Sequence, residues 1–428
     1  MDIMRALSQI QRVITLRLQN KYKQSLFLLL AAFNNMKPLQ SYLVIALILS
    51  SIPACIQVDF KSADDLIKKY MTENHVPGFA YAVINSKGIS WSKAYGLADV
   101  ENNIPMSVDG IMNIASISKT ITATAVMQLW ENGQLSLEED INAYLTDPIR
   151  NPHFPDTPIT IQHLLTHTSS INDGSAYGKS YSCGDPEMSL KEWITNYLGK
   201  EGTFYDEMEN FLLKGPGEQH QYSNVGYGLL GYIVEVITDM PFNRYCQVHI
   251  FEPLGMEKSG WFIHEIEAAD HILPYFYITD ELKETITDGY IKFFPDEKDI
   301  TVGKNLATCL YSFPNYPDGL LRTSVVELSY FLTAYMNPGK FKGAEILNQS
   351  TINKMLSLQI DGNNSQGLCW HKSDFESLWG HGGGDPGVQT KMFYSPESNI
   401  GIIIFQNSSH GDQFEILKEL YISATGRK

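Results

Sequence analysis

Residues 115–133 read Ala-Ser-Ile-Ser-Lys-Thr-Ile-Thr-Ala-Thr-Ala-Val-Met-Gln-Leu-Trp-Glu-Asn-Gly. Ile117, Ile121, Ala125 and Leu129 recur on one stripe and Gly133 supplies a stop, so the stretch predicts a helix over residues 116–131. Ser116 and Lys119 lie three apart and share a face of that helix. A serine hydroxyl is a poor nucleophile until a neighbouring base takes its proton, and the Lys119 amine is placed beside it. The backbone N–H of Ser116, at the positive end of the helix dipole, is offered to a developing oxyanion. The same pattern recurs at Ser90-Trp91-Ser92-Lys93. That run is strand-like, where side chains three apart point to opposite faces, so the geometry selects Ser116.

Outward from this helix the pattern alternates between sheet and helix material. Residues 63–71 have helical spacing. Residues 79–84 and 89–95 are short β-prone runs joined by Asn85-Ser86-Lys87-Gly88, a hairpin signal. From about 135 to 315 the chain reads as helices and long loops, with helices over 161–165, 225–238 and 242–251. A further helix over 325–336 has a core-packing pattern. Strands return at 368–371, 377–381, 388–394 and 400–406, and a helix over 413–423 closes the chain. Strands at both ends with helices between predict an α/β (α+β) fold. Its sheet draws on residues of about 59–130 and 320–428, and a mostly helical region of about 131–319 is inserted. There is no internal repeat and no low-complexity tract.

Two further constellations carry chemistry. Tyr222-Ser223-Asn224 stands just before the 225–238 helix, and a Tyr and an Asn two apart in an extended loop face one cleft. The phenol exchanges a proton and the amide holds a substrate amide. Tyr335-Met336-Asn337 has the same spacing but ends a core helix. His381-Gly382-Gly383-Gly384-Asp385-Pro386-Gly387 follows a strand-like run. Its glycines let a ligand approach the backbone, and a strand-edge N–H completes an oxyanion hole, although the same residues also suit a tight turn. His-Gly-Gly-Gly serves α/β-hydrolases too, but those need G-x-S-x-G, which this chain lacks.

The composition narrows the remaining classes. With 428 residues, 43% hydrophobic, 20 Phe, 23 Tyr and 6 Trp, the chain buries a large core and is not disordered. A formal net charge of −16 argues against nucleic acid as partner. Residues 1–54 differ: six basic residues face the single acid Asp2, and two apolar runs, at 26–33 and 42–52, are short for a membrane span. Read from Met36, an alternative start to Met1, the segment to Cys55 has the layout of a secretory signal. Its end resembles a lipoprotein box. The expectation is an exported protein, periplasmic or membrane-anchored through this segment or a lipidated Cys55, with residues 55–428 as the working domain. Cys183, Cys246, Cys309 and Cys369 are candidates for disulfides after export, with pairing unreadable from spacing, or buried small hydrophobes. His163 and His167, four apart, have a zinc-like spacing, but H-E-x-x-H is absent and no metal is expected; His167 is expected to tie down the loop at 168–170.

S-x-x-K, Y-x-N and H-x-G, in this order, resemble the three motifs of the serine β-lactamase and penicillin-binding protein superfamily. The Tyr of the middle motif is similar to the class C β-lactamase, DD-peptidase and esterase branch. The flanks agree: Leu164-Leu165-Thr166-His167-Thr168-Ser169, Pro216-Gly217, and Asp318-Gly319-Leu320-Leu321-Arg322-Thr323-Ser324. The resemblance covers about residues 60–428. It implies an antiparallel sheet flanked by helices, no cofactor, and a small-molecule or peptidoglycan-peptide substrate. It further implies that Ser116 is acylated, that Lys119 and Tyr222 share the proton work, and that the backbone N–H groups of Ser116 and Gly384 form the oxyanion hole. Asn224, His381 and Gly383 are then the substrate-binding residues. The departure lies in the third motif, where His381 and Gly382 stand for the Lys and Thr that help bind a substrate carboxylate. The expectation is therefore an esterase or D-residue peptidase with weak β-lactam recognition. The alternatives are a penicillin-binding receptor or scaffold that does not turn over, and a true class C-like β-lactamase.

Overall fold

The computed structural model describes residues 60–286, 291–294 and 300–426. The expected signal, Met36 and Cys55 lie outside them. Strand β1 (Gly78–Asn85) turns at the expected hairpin into β2 (Gly88–Asp99), which pairs with β3 (Ile104–Pro105). From the other end of the chain come β4 (His371–Lys372), β5 (Trp379–Asp385), β6 (Val388–Ser395) and β7 (Ile400–Gln406). The seven strands form one sheet in the order β4-β5-β6-β7-β1-β2-β3, antiparallel throughout. The two ends meet where β1 pairs with β7, Phe79 opposite Gln406 and Ile84 opposite Gly401.

Both faces of this sheet are covered, which is why β1 and β7 read as nearly unbroken apolar runs. The helices that bear on the site are α1 (Lys61–Glu73), α2 (Ser118–Glu131), α3 (Ile161–Leu165), α4 (Asn224–Thr238), α5 (Val325–Met336) and α6 (Phe414–Thr425). Phe79, Tyr81 and Val83 join Ile402 and Ile404 beneath α1 and α6. Ala80, Ala82 and Ile84, with Ile403 and Phe405, face the larger core built with α2, α4 and α5. The two-residue alternation of a strand thus feeds two cores at once, each buried Ile or Phe contributing about 1.5–3 kcal/mol.

Helix α2 is enclosed on nearly all sides, as a central core helix must be. Its threonine hydroxyls find partners: Thr122 Oγ1 donates to Pro317 O at 2.6 Å, and Thr124 Oγ1 meets the Tyr335 hydroxyl at 2.7 Å. It starts at Ser118, not Ser116, because Ala115 takes a left-handed φ of 48° and residues 115–117 form a 3-10 turn. The 242–251 helix is α-helical over Phe242–Cys246 and widens to a π-turn over Gln247–Phe251 ahead of Pro253, which has no N–H to donate.

A second difference concerns the third motif. The strand does not end at residue 381. β5 runs on through the glycines to Asp385, and only Pro386 and Gly387 make the turn into β6. β4 pairs with Trp379 and Gly380 alone, so His381–Asp385 keep a free edge among the described residues. Cys183 and Cys309 form a disulfide beside the short ladder of Ser182–Cys183 with Tyr311–Ser312, while Cys246 and Cys369 are free and buried. Among the described residues no helix is long and apolar enough to cross a membrane.

Candidate active site

Ser116 lies in the 3-10 turn that leads into α2, directly after Ala115 with its positive φ. Such a conformation costs on the order of 1–3 kcal/mol and persists only where the surroundings enforce it. Here they do. Ala115 N–H donates to Asn113 Oδ1 at 2.8 Å, and Ile114 N–H donates to Leu321 O at 3.0 Å. Thr390 Oγ1 on β6 donates to Ile114 O at 2.8 Å, and Leu321 N–H donates to Ser118 Oγ at 3.0 Å.

Lys119 is fully buried. Its Nζ donates to Ser116 Oγ at 3.1 Å, to Asn224 Oδ1 at 2.7 Å and to Asp318 O at 2.7 Å. An ammonium has three donors, and these acceptors use all of them. Nζ also lies 4.9 Å from the centre of the Tyr222 ring and 5.6 Å from that of Tyr227. Burial works against the Lys119 charge, but Tyr222, Asp318 and Asp173 outweigh it and raise its pKa above the ordinary lysine value. Burial likewise pushes the Tyr222 phenol up, with the Lys119 charge pulling the other way. The resting pair is an ammonium and a phenol.

Asn224 opens α4, where Ser223 Oγ caps the helix by accepting Gly226 N–H at 3.1 Å. Asp173 faces the same helix end. Its Oδ2 accepts Asn224 N–H at 2.8 Å and Asn224 Nδ2 at 2.9 Å, and its Oδ1 accepts Val225 N–H at 3.0 Å and the Ser223 hydroxyl at 3.2 Å. Sequence reading missed Asp173, because Asn172-Asp173-Gly174 looks only like a turn.

His381 is buried on β5. Its Nδ1 stands 2.6 Å from Gly382 O, an acceptor only, which places the proton on Nδ1; Nε2 meets no partner among the described residues. Burial, reinforced by His371 and Lys119, holds its pKa well below the usual histidine range, so it stays neutral. Gly383 is packed tightly: a Cβ there would come within 2.5 Å of Ile114 O and 3.0 Å of the Ala115 Cβ. It seats β5 against the nucleophile turn, whereas Gly384 faces open space. His167 does not tie down residues 168–170. It holds the middle motif instead, its O accepting Gln221 N–H at 2.7 Å and its Nδ1 accepting Ser223 N–H at 3.1 Å, with its ring 4.2 Å from that of Tyr222. His163 caps α3 through Thr160, and among the described residues no group of three His, Cys, Asp or Glu is arranged to hold a metal.

Two neighbouring tyrosines, Tyr177 and Tyr181 with ring centres 6.0 Å apart, form a wall that sequence reading did not anticipate. The Tyr177 hydroxyl donates to Asp318 Oδ2 at 2.8 Å, and that of Tyr181 donates to Asp385 Oδ1 at 3.0 Å. Burial lifts Asp318 to about 7 and Asp385 to about 6. The other S-x-x-K is separated as the strand geometry requires: Ser90 Oγ donates to Val83 O, and Lys93 reaches Asp64. Tyr335 remains in the core.

A family model described as Beta-lactamase matches residues 63–426. Among curated proteins the chain is 23% identical over 350 residues to Protein flp of Staphylococcus aureus (strain MRSA252), covering 80% of this chain and 62% of that protein. It is 24% identical to Beta-lactamase-like protein 2 of Dictyostelium discoideum, covering 81% and 59%. The chain thus spans only about three-fifths of the length of these relatives. Among solved structures it is similar to the octameric penicillin-binding protein homologue from Pyrococcus abyssi, at TM-score 0.66 and 26% identity over 86% of this chain and 78% of that one. It also shares the fold of the D-amino acid amidase from Ochrobactrum anthropi SV3, at TM-score 0.64 and 22% identity over 86% and 99%.

Proposed function

The chain belongs to the Beta-lactamase family, and from that premise we propose that it is an exported serine hydrolase that acts through a Ser116 acyl-enzyme on an ester, or on a peptide or amide bond beside a D-residue. The observation that carries this reading is the hydrogen bond from the buried Lys119 ammonium to Ser116 Oγ, with the Tyr222 ring beside it. Ser116 Oγ attacks the carbonyl carbon while its proton passes to the Lys119–Tyr222 pair. The backbone N–H groups of Ser116 and Gly384 receive the oxyanion. Collapse expels an alcohol or amine, which takes the proton back, and water then cleaves the acyl-enzyme by the same steps in reverse. Because the resting pair holds both its protons, it must lose one before it can accept that of Ser116.

Neutral His381 and side-chain-free Gly382 bring no cation to a substrate carboxylate, which supports an ester or D-residue amide over a β-lactam, with only weak penicillin recognition. The shared fold with an amidase named for D-amino acids is in keeping with that choice. The basic, apolar N-terminal segment and Cys55 support export with lipid attachment, and a peptidoglycan peptide is the natural substrate class at that location.

The test is a fluorophosphonate probe followed by intact mass, then a panel of short-chain nitrophenyl esters, D-amino-acid amides, D-alanyl peptides and nitrocefin. A single adduct lost in Ser116→Ala, with turnover of an ester or D-residue substrate, is expected. Labelling without turnover of any of them would mark a receptor. Steady cephalosporin turnover would mark a β-lactamase.

A further inference from the structure

The three acceptors of the Lys119 ammonium, a hydroxyl, an amide oxygen and a peptide oxygen, are all neutral. A buried cation is costly without a counter-charge. The acids coupled to it are Asp173, Asp318 and Asp385. Asp318 and Asp385 are tied to the tyrosine wall, to Asn315 and to Asn113. Asp173 alone bonds a side chain that itself bonds Lys119: Oδ2 accepts Asn224 Nδ2 at 2.9 Å, and Asn224 Oδ1 accepts Lys119 Nζ at 2.7 Å. The Asn224 amide therefore has only one workable orientation, since a flip would set NH₂ against the ammonium and oxygen against the carboxylate.

We propose that Asp173 is a positioning residue of this site, one that fixes the Asn224 amide and supplies across it the negative charge that keeps Lys119 an ammonium aimed at Ser116. The inference rests on Ser116 being the nucleophile. The other groups around Lys119 do not take this role. The Tyr222 hydroxyl meets Lys119 but burial keeps it a neutral phenol, and Tyr227 presents its ring face. His167 and His381 are held neutral by burial, and the buried Cys369 thiol is pushed up to about 12. The four bonds from Asp173 to residues 223–225 also place the helix end, so loss of fold and loss of charge must be told apart.

The swap D173N with N224D does so. Asp173→Asn keeps the shape but loses the charge and sets amide against amide. The double variant restores a carboxylate–amide pair with the charge moved next to Lys119. The readouts are kcat and KM on a nitrophenyl ester, and the midpoint of the Lys119 ammonium titration followed by ¹³Cε-lysine NMR, with Lys119→Arg to assign the resonance. Asp173→Asn is expected to lower the Lys119 midpoint by about one pH unit and to lower kcat about 30-fold. The rate falls because the unseated Asn224 amide no longer aims the Lys119 amine at Ser116, and this outweighs the larger share of the deprotonated form. The double variant is expected to return the midpoint to the wild-type value or above, while kcat stays low because Asn224 itself belongs to the substrate site. An unmoved midpoint in Asp173→Asn overturns the proposal, as does a double variant with the midpoint still depressed. The NMR readout needs no substrate, so a wild-type protein that neither labels nor turns over would sink the hydrolase reading while the role of Asp173 was still decided.

Discussion

Thr390 Oγ1, on a strand 276 residues along the chain, donates a 2.8 Å hydrogen bond to Ile114 O, two residues before the nucleophile. The left-handed turn at Ala115 is thus held by the sheet. In Thr390→Val the shape is kept but the Ile114 carbonyl loses its short bond and retains only the 3.4 Å one from Ile117 N–H, at about 1 kcal/mol. We expect a lower melting temperature and a kcat reduced about tenfold, since the Ser116 turn loosens. Thermal unfolding and ester kinetics check this. Unchanged kcat would show that Ser116 is placed without the sheet.

Neighbouring glycines on β5 should differ sharply. A Cβ at Gly383 would meet Thr390 Oγ1 at 2.4 Å and Ile114 O at 2.5 Å, whereas nothing lies within 4 Å of one at Gly384. Gly383→Ala should therefore push β5 off the nucleophile turn, costing about 100-fold or more in kcat/KM along with stability. Gly384→Ala should keep the melting temperature, and its backbone N–H remains for the oxyanion. Equal losses in the two variants would contradict this packing.

The pH dependence of catalysis follows from the proton pair. Lys119 and Tyr222 both lie above their ordinary values, so the catalytically ready form, short of one proton, is scarce at neutral pH. Log kcat/KM should rise with pH across the neutral range and level off only in the alkaline region, and Tyr222→Phe should abolish most of the rate. A profile flat from neutral upward would mean that the pair titrates elsewhere.

Stability should move with pH through the histidines. Burial, with His220, lowers His371 to about 4, against a usual value of 6.5. The unfolded chain then binds a proton that the folded chain refuses, so stability is lost as pH falls from 6.5 towards 4, by about 3 kcal/mol at the lower end. Above pH 6.5 the group has no effect. His371→Gln should thus gain on the wild type at pH 5 relative to pH 7.5, read as the difference in melting temperature. A pH-independent difference would refute the assignment.

Much of this site is legible in the chain itself because its parts are local. Ser116 and Lys119 need one helical turn, and Tyr222 and Asn224 need one extended dipeptide. What escapes is what depends on distant partners. Asp173 serves residues about fifty positions later, Tyr177 serves Asp318, and the Cys183–Cys309 pairing closes a separation of 126 residues that no spacing rule selects. The glycines of β5 escape for another reason. Glycine weakens a strand, so the expected strand stops at His381 and the residues after it suit a tight turn as well as a strand edge, until the register with β6 draws them straight to Asp385.

The account turns on an acyl group carried by Ser116, and the most direct measurement is the mass of protein quenched in acid during turnover of a nitrophenyl ester. A covalent acyl adduct on the peptide bearing Ser116, absent in Ser116→Ala, is the predicted result. Turnover that persists in Ser116→Ala, or an adduct on any other residue, would contradict it.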